Sequence, residues 1–318
     1  MIELSIQELI VTVDEHLGAE ITRLCLGSHE LLASHNWEVP VRASNSRSYG
    51  DDTLDWLSEY RGGWQFLVPN AGSPCTVDDV PLPFHGEWSR TSVEIVRQSS
   101  SSITVRSGTR LPLVVERTIR LLENPLRVRI DTTIENVSAS TVPFVWGEHP
   151  AFVTSPGDRI DLPAGRVVDA SGSIASATTW PVGSTAAQPL DIIPDTSPYE
   201  ALHYLPERPE AWAGLRRAEV GVGLAWDPTA FPHLWLWHQI GGQGMPWYGR
   251  TSLVAIEPAS SWPADGLAAA IERNQAHLVG PHQRRSAWMV VVPFEPNGRP
   301  VQKVTESGTI EFETKEES

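Results

Sequence analysis

The sequence predicts an all-β protein built as a sandwich or a barrel. Residues 126–131 alternate apolar and polar side chains with a period of two, which is typical of a half-buried strand, and residues 115–121 show the same pattern. The 318 residues include 26 Pro and 24 Gly, which punctuate chains of many short strands. Helical periodicity is confined to two stretches. Many strands, frequent turns and little helix together predict this fold class.

Further strands follow from the same patterns. Glu123-Asn124-Pro125 predicts a hairpin connection between the two runs, and Arg117 interrupts the apolar face of the first run. Three segments are apolar on both faces and are therefore expected to be central strands: 234–238, 252–257 and 287–294. The remaining candidates are 11–13, 20–26, 103–106 and 220–226.

Two helices and one domain complete the predicted organisation. Residues 264–278 place apolar side chains on one helical face before the stop signal Gly280-Pro281, and residues 51–60 have an acidic first turn. We interpret the Pro- and Ser-rich segment 155–200 as long loops within a single domain, residues 1–300. Residues 301–318 are expected to form a polar C-terminal segment with room for one edge strand before the chain frays.

Charge and composition exclude several functions. Lys and Arg total 24 against 39 Asp and Glu, a net charge of −15, so neither nucleic acid nor an anionic membrane surface is an expected partner. No apolar run approaches the ~20 residues of a membrane helix. The N-terminal residues lack the features of a secretory signal, and two cysteines are too few for a disulfide framework. These features predict a cytoplasmic protein.

Common catalytic motifs are missing from the sequence. It contains no phosphate-binding G-x-x-x-x-G-K-[ST], no G-x-S-x-G elbow and no H-E-x-x-H zinc motif. Its glycines do not follow the dinucleotide-binding spacing. We therefore expect no cofactor and no metal, and a reaction carried out by isolated acids and bases.

Three segments place an ionisable residue beside Pro or Gly at a predicted strand end. His85 lies in PLPFHGEWSR, after the stretch RGGWQFLVPNAG; His149 lies in WGEHPAF; Glu257 ends the apolar run in SLVAIEPASSWP. Rigid strand ends of this kind hold catalytic side chains in β-scaffolds. Taken singly, each residue also fits an ordinary structural role, such as a turn histidine or a rim carboxylate.

In this order and spacing, the three segments resemble the aldose 1-epimerase (mutarotase) family, in a divergent branch. PNAG followed by FHGEW resembles the family's Pro-Asn-x-Gly and His-Gly, WGEHPAF resembles Gly-x-His-Pro-x-Phe, and LVAIEP resembles the strand that ends in the catalytic glutamate. The resemblance spans roughly residues 10–294. It implies a large antiparallel supersandwich with very few short helices.

The resemblance also implies site residues. His149 would be the general acid and Glu257 the general base, while His85 would polarise the sugar and Asn70 would touch its hydroxyls. Trp237 would bind substrate, since it lies in the region where relatives carry a binding aspartate. The 13 Trp suit either core packing or a sugar-stacking wall.

Arginines near these motifs keep a second substrate class open. Arg61 is predicted to bind substrate, and together with Arg90 and Arg250 it could hold the phosphate of a hexose 6-phosphate. Where many family members carry an arginine after Pro-Asn-x-Gly, this chain has Ser73 and Pro74.

The expected activity is the interconversion of α and β anomers of an aldohexose, an isomerase reaction. The expected partner is a small sugar, and the expected state a monomer or homodimer. Alternatives on the same scaffold are a non-catalytic carbohydrate-binding protein and a glycoside hydrolase or lyase. A hydrolase would need a second carboxylate, for which Glu87, Glu148, Asp227 and Asp265 are available.

Overall fold

Two large antiparallel sheets form the body of the protein. The structure, a computed structural model, describes residues 1–35, 48, 50–182 and 189–314. In chain order its strands are β1 (Ile2–Ile6), β2 (Leu9–Asp14), β3 (Glu20–Leu26), β4 (His29–Glu30), β5 (Trp64–Leu67), β6 (Cys75–Val77), β7 (Val80–Leu82), β8 (Glu94–Gln98), β9 (Ser102–Gly108), β10 (Leu113–Leu122), β11 (Arg127–Asn136), β12 (Val142–Phe144), β13 (Gly147–Val153), β14 (Arg159–Asp161), β15 (Arg166–Asp169), β16 (Thr178–Thr179), β17 (Tyr199–Leu205), β18 (Trp212–Arg216), β19 (Gly221–Trp226), β20 (His233–Ile240), β21 (Ser252–Ala259), β22 (His277–Val279), β23 (Arg284–Phe294), β24 (Val301–Val304) and β25 (Ile310–Phe312). The helices are α1 (Asp52–Glu59) and α2 (Leu267–Glu272).

The larger sheet has eleven strands, in the order β1-β2-β3-β5-β13-β21-β20-β17-β15-β16, with β4 added beside β3. The second sheet has eight strands, in the order β14-β18-β19-β23-β11-β10-β9-β8. Three two-stranded sheets, β6-β7, β12-β22 and β24-β25, complete the strands that the described residues form. The predicted antiparallel β-sandwich is therefore confirmed.

The predicted strands overlap observed ones. The three segments that are apolar on both faces lie in β20, β21 and β23, which have strands on both sides in their sheets. Asn124 and Pro125 form the hairpin connection between β10 and β11, as predicted. The inner faces of the two sheets contribute to one shared apolar core, so period-two alternation was a sound signal in this chain.

The helix predicted over 264–278 is much shorter in the structure. α2 spans only Leu267–Glu272, because Gly266 precedes it with a φ of 91° and Asn274 ends it with a φ of 57°. The chain then extends into β22. The weaker prediction over 51–60 agrees with α1, whose N-cap Asp51 accepts hydrogen bonds from the backbone N–H groups of Thr53 and Leu54.

Two connecting regions contain more strand than expected. Segment 155–200 carries β14, β15 and β16 between its loops, while residues 183–188 lie outside the described ranges. The C-terminal segment forms the hairpin β24-β25 rather than a single edge strand, and residues 315–318 are outside the described part. Val301 and Val304 are buried against the outer face of the eight-stranded sheet, which explains why both strands form.

Neither helix in the described part of the chain has the length and apolar character needed to cross a lipid bilayer.

Candidate active site

Strand register brings His149 and Glu257 together on the outer face of the eleven-stranded sheet. The pairs on either side of His149 in the β13–β21 register place it opposite Glu257, and β20 places Trp235 opposite Glu257 on the other side. Side chains alternate along strands, so the neighbours Glu148 and Ile256 point to the opposite, inner face. Two residues that are far apart in sequence therefore become adjacent.

A cavity of about 360 Å³ opens over this pair of residues. Its aromatic walls are formed by Trp56, Phe84, Trp235, Trp237 and Trp247. The volume lies near the lower end of the ~300–1,000 Å³ that is usual for small-molecule sites. Flat aromatic faces beside a few polar groups suit the C–H face of a sugar ring.

Helix α1 supplies one wall of the cavity. The Asp51 cap and the acidic first turn fix its start, and Trp56 is its buried side chain. The rings of Trp56 and Tyr60 stack with their centroids 4.9 Å apart, and Trp56 lies edge-on to His149 at 5.6 Å. The sequence predicted this helix but gave no signal that it packs over the site, because that contact is purely tertiary.

His149 and Glu257 form a nearly solvent-free acid–base pair. Their Nε2 and Oε2 atoms are 3.6 Å apart, and the side chains are 3% and 4% exposed. Burial lowers the pKa of His149 to about 4 and raises the pKa of Glu257 well above its ordinary value. Burial therefore favours the neutral form of both groups, an imidazole without its second proton and a carboxyl that holds its proton. The pair as a whole holds one proton that either member could carry if the other released it.

His85 is held as a neutral hydrogen-bond donor. It has a φ of 60°, and its Nδ1 accepts a hydrogen bond of 3.1 Å from the backbone N–H of Gly72. A neutral imidazole whose Nδ1 accepts must carry its hydrogen on Nε2. Burial, with a smaller contribution from nearby His149, lowers the pKa of His85 and keeps the ring neutral. The ring lies 5.6 Å from that of His149 and lines the cavity.

Asn70 does not line the cavity. It is fully buried, and its amide nitrogen donates to the carbonyls of Ser73 and Pro83. Its Oδ1 accepts from the N–H of Leu267 at 2.7 Å, at the start of α2. These bonds use its donors within the protein, so the structure gives Asn70 a role in joining two loops to α2 rather than the predicted contact with sugar hydroxyls.

We expect Asn70→Ala to lower the free energy of unfolding by about 3 kcal/mol, because the substitution leaves buried backbone groups without hydrogen-bond partners. Urea denaturation measures the change. Gln302→Ala, at an exposed amide side chain on β24, is the surface control and should stay within ~0.5 kcal/mol. Unchanged stability combined with weaker sugar binding would instead return Asn70 to the cavity wall.

Arg61 lies on the far side of Trp56 and Tyr60. Its Nη1 donates to the carbonyls of Ser58 and Tyr60, both at 2.8 Å, and the residue lines a second cavity of about 350 Å³. The structure therefore does not bring Arg61 to the cavity that holds His149 and Glu257, where the sequence had placed it.

The predicted arginine cluster does not form at the cavity. Arg250 donates to the carbonyls of Trp247 and Pro246, and Arg90 lies 3.7 Å from Glu59. None of the described residues that line the cavity is Lys or Arg.

Two polar side chains that the sequence analysis missed lie in the cavity lining. Glu200, on β17, is exposed and accepts a hydrogen bond of 2.8 Å from Gln239 on β20. Both residues alternate onto the same face as Trp237, which also lines the cavity. His238, beside Trp237, instead points into the buried side of the sheet. Only the β17–β20 register, which single-sequence patterns cannot give, reveals the Glu200–Gln239 pair.

The fold is that of the galactose mutarotase-like β-sandwiches. The Slr1438 protein from Synechocystis superposes with a TM-score of 0.69 at 16% identity, covering 93% of this chain and 96% of that one. A protein of Escherichia coli K12 described as a candidate aldose 1-epimerase gives 0.67 at 14% identity, with coverages of 92% and 98%. A galactose mutarotase related enzyme from Lactobacillus acidophilus gives 0.64 at 15%, with coverages of 92% and 97%.

These comparisons support the resemblance seen in the sequence at the level of fold. No protein-family model matches the chain, and no curated protein matches it. Because a fold can host many activities, the function has to be argued from the residues of the site.

Proposed function

We propose that the protein is an aldose 1-epimerase that interconverts the α and β anomers of an unphosphorylated aldohexose. The observation that carries the proposal is the His149–Glu257 pair, buried at the base of a hexose-sized aromatic cavity. Solved structures of the same fold, including a galactose mutarotase related enzyme, add support from outside the chain.

Anomer exchange requires one proton to leave the C1 hydroxyl and another to reach the ring oxygen. The C1–O5 bond then opens, the aldehyde carbon rotates, and the ring closes from its other face. A base and an acid that act together avoid a free alkoxide, and each contributes ~10²–10⁴-fold. His149 and Glu257 share one proton, so the pair can remove one proton and deliver another without a change in its total charge.

The family resemblance assigns Glu257 as base and His149 as acid. Burial by the protein instead favours the proton on Glu257. The two arrangements contain the same number of protons, so a substrate that hydrogen-bonds to the imidazolium and the carboxylate can move the proton to His149. We propose that sugar binding makes this transfer and prepares the pair for ring opening.

The described cavity lining has neutral groups and a carboxylate but no cationic side chain, which favours a neutral sugar. His85 offers an Nε2 hydrogen to a ring or anomeric oxygen, and Trp237 offers an apolar face. The carboxylate of Glu200 suits a hydroxyl donor and repels a phosphate. For these reasons we propose free hexoses ahead of hexose 6-phosphates.

The cavity lining also bears on glycoside hydrolysis. Of the four carboxylates considered from sequence as partners for Glu257, Glu148 points to the inner face and binds Arg117, and none of the four belongs to the described cavity lining. Most glycosidases use two carboxylates, and the described lining does hold a second one beside Glu257, that of Glu200. A test for hydrolysis therefore belongs with the test for anomer exchange.

Anomer-exchange NMR on glucose and galactose, with glucose 6-phosphate and maltose in parallel, tests the proposal. We expect exchange with at least one free hexose to exceed the buffer rate and the phosphate to be slower. Exchange of none of these sugars, with binding retained, would identify a carbohydrate-binding protein. New reducing ends from an oligosaccharide would identify a hydrolase.

The pH profile of kcat/KM tests the shared proton. We expect activity to fall as the pH drops through about 4, because the imidazole of His149 is then protonated as well as the carboxyl of Glu257. The pair then has no group that can accept a proton. On the alkaline side, activity should fall once the pH exceeds the raised pKa of Glu257, because the pair then has no proton to give. Polarimetry corrected for the buffer rate measures both limbs. An acid limb centred near the ordinary histidine value of ~6.5 would contradict this interpretation.

A further inference from the structure

A buried ion pair lies directly behind the strand that carries His149. Arg117 donates through Nη1 to Oε1 of Glu148 at 2.6 Å and through Nη2 to Oε2 at 2.7 Å, and both side chains are 2% exposed. Arg117 belongs to β10 of the eight-stranded sheet and Glu148 to β13 of the eleven-stranded sheet. The interaction therefore joins the two layers of the sandwich at one point.

Further contacts fix the geometry of this pair. The indole N–H of Trp64 donates to Oε2 of Glu148 at 2.7 Å, and Nη1 of Arg117 also donates to the hydroxyl of Thr132 at 2.9 Å. The guanidinium lies 4.6 Å from the centre of the Phe66 ring, and Phe66 is the register partner of Glu148 on β5. Glu148 is thus held from its neighbouring strand and from the facing sheet at once.

A buried ion pair of this kind adds little net stability to a core. Desolvating two charges costs several kcal/mol each, and apolar residues of similar volume are often at least as stabilising. What a bidentate Arg–carboxylate contact supplies is a fixed distance and orientation. Its position matters because Glu148 and His149 are consecutive, so fixing one side chain fixes the backbone from which the other projects to the opposite face.

We propose that Arg117 is a positioning residue for the acid–base pair: by gripping Glu148 on the inner face of β13, it sets the height and tilt of His149 toward Glu257 on the outer face. The inference rests on the proposed function of the site. It also gives a reason for the arginine that interrupts the apolar face of β10, a feature that the core alone does not explain.

The decisive variant is the double substitution Arg117→Met with Glu148→Gln. It removes both charges together, so neither is left alone in the core, and the glutamine oxygen still accepts from Trp64. We expect a folded protein with sugar affinity within threefold of wild type and a kcat lowered ~10–100-fold, since small displacements of a catalytic group cost this much. Full kcat in the folded double variant would overturn the proposal.

A matched control uses another bidentate pair, Arg216 with Asp161, which joins β18 and β14 at 2.6 and 2.9 Å. Arg216→Met with Asp161→Asn should leave kcat unchanged. Arg117→Lys keeps the charge and loses the fork, and we expect it to lower kcat about fivefold with the fold intact. Should the double variant not fold, a wild-type kcat in Arg117→Lys would equally overturn the proposal.

A measurement that needs no substrate tests the positioning role of Arg117 separately from the proposed epimerase activity. The ¹⁵N chemical shifts of the His149 imidazole report its proton and its contact with Glu257. We expect them to change in Arg117→Lys and in the double variant but not in the Arg216 control. If wild-type protein exchanges no anomers, the enzyme assignment fails while these shifts still test positioning. If the wild-type protein is active but the His149 shifts are unchanged in both Arg117 variants, the positioning role is rejected and the enzyme assignment stands.

Discussion

Replacing Glu257 by glutamine is expected to lower kcat for anomer exchange ~10³-fold while sugar affinity changes less than about threefold. Glutamine keeps the size and neutral polarity of the protonated carboxyl that burial favours. It cannot exchange a proton with His149, 3.6 Å away, or with the anomeric hydroxyl. The rate is measured by NMR exchange and the affinity by titration of the sugar.

The matched control is Glu311→Gln, an exposed position on β25. It should leave both quantities at wild-type values, which excludes a general effect of charge removal. If Glu257→Gln retained more than about half of the wild-type kcat, the carboxyl would not be the proton-transfer group, even if the reaction were correctly identified.

His149→Gln should lower kcat by a similar ~10²–10³-fold, because the amide cannot take up or release the proton. The double variant His149→Gln with Glu257→Gln should be little worse than either single variant, since the two groups act on one proton as a unit. Independent, multiplicative losses in the double variant would mean that each residue serves a separate step. Comparing the three variants under single-turnover exchange conditions distinguishes these outcomes.

Most of the fold could be predicted because the two-residue alternation survives on both sides of the sandwich. β10 and β11 alternate buried and partly exposed residues along almost their whole length, and β20 and β21 are buried along almost their whole length. The boundaries of α2 were harder to predict. Residues 264–278 have a helical apolar face, but Asn274 adopts a left-handed conformation that the pattern does not encode.

The candidate site could be predicted only where an ionisable residue lies next to Pro or Gly in the sequence. His85, His149 and Glu257 each lie beside Pro or Gly, and all three line one cavity. The expected strand-end positions were wrong: His149 and Glu257 lie within β13 and β21, and His85 lies in the loop after β7. Asn70 also lies beside Pro, yet its hydrogen bonds join loops to a helix. A polar residue next to Pro or Gly has the same sequence pattern whether its side chain binds a ligand or forms hydrogen bonds within the protein.

The remaining site residues depend on contacts between distant segments. Trp56 reaches the cavity because α1 packs across the sheet, and Glu200 reaches it through pairing of β17 with β20. Arg61 belongs to the same stretch of sequence as the predicted motifs but falls behind Tyr60. Proximity in sequence therefore placed Arg61 at a cavity that it does not line and missed Glu200, which does line it.

The cross-strand placement of His149 and Glu257 also has a consequence for biosynthesis. More than one hundred residues separate them, so a nascent chain cannot have the pair until β21 has been made and has aligned with β13. A one-residue slip in that alignment would turn the Glu257 side chain to the wrong layer. Recovery of activity during refolding would consequently time the moment at which these two strands reach native alignment.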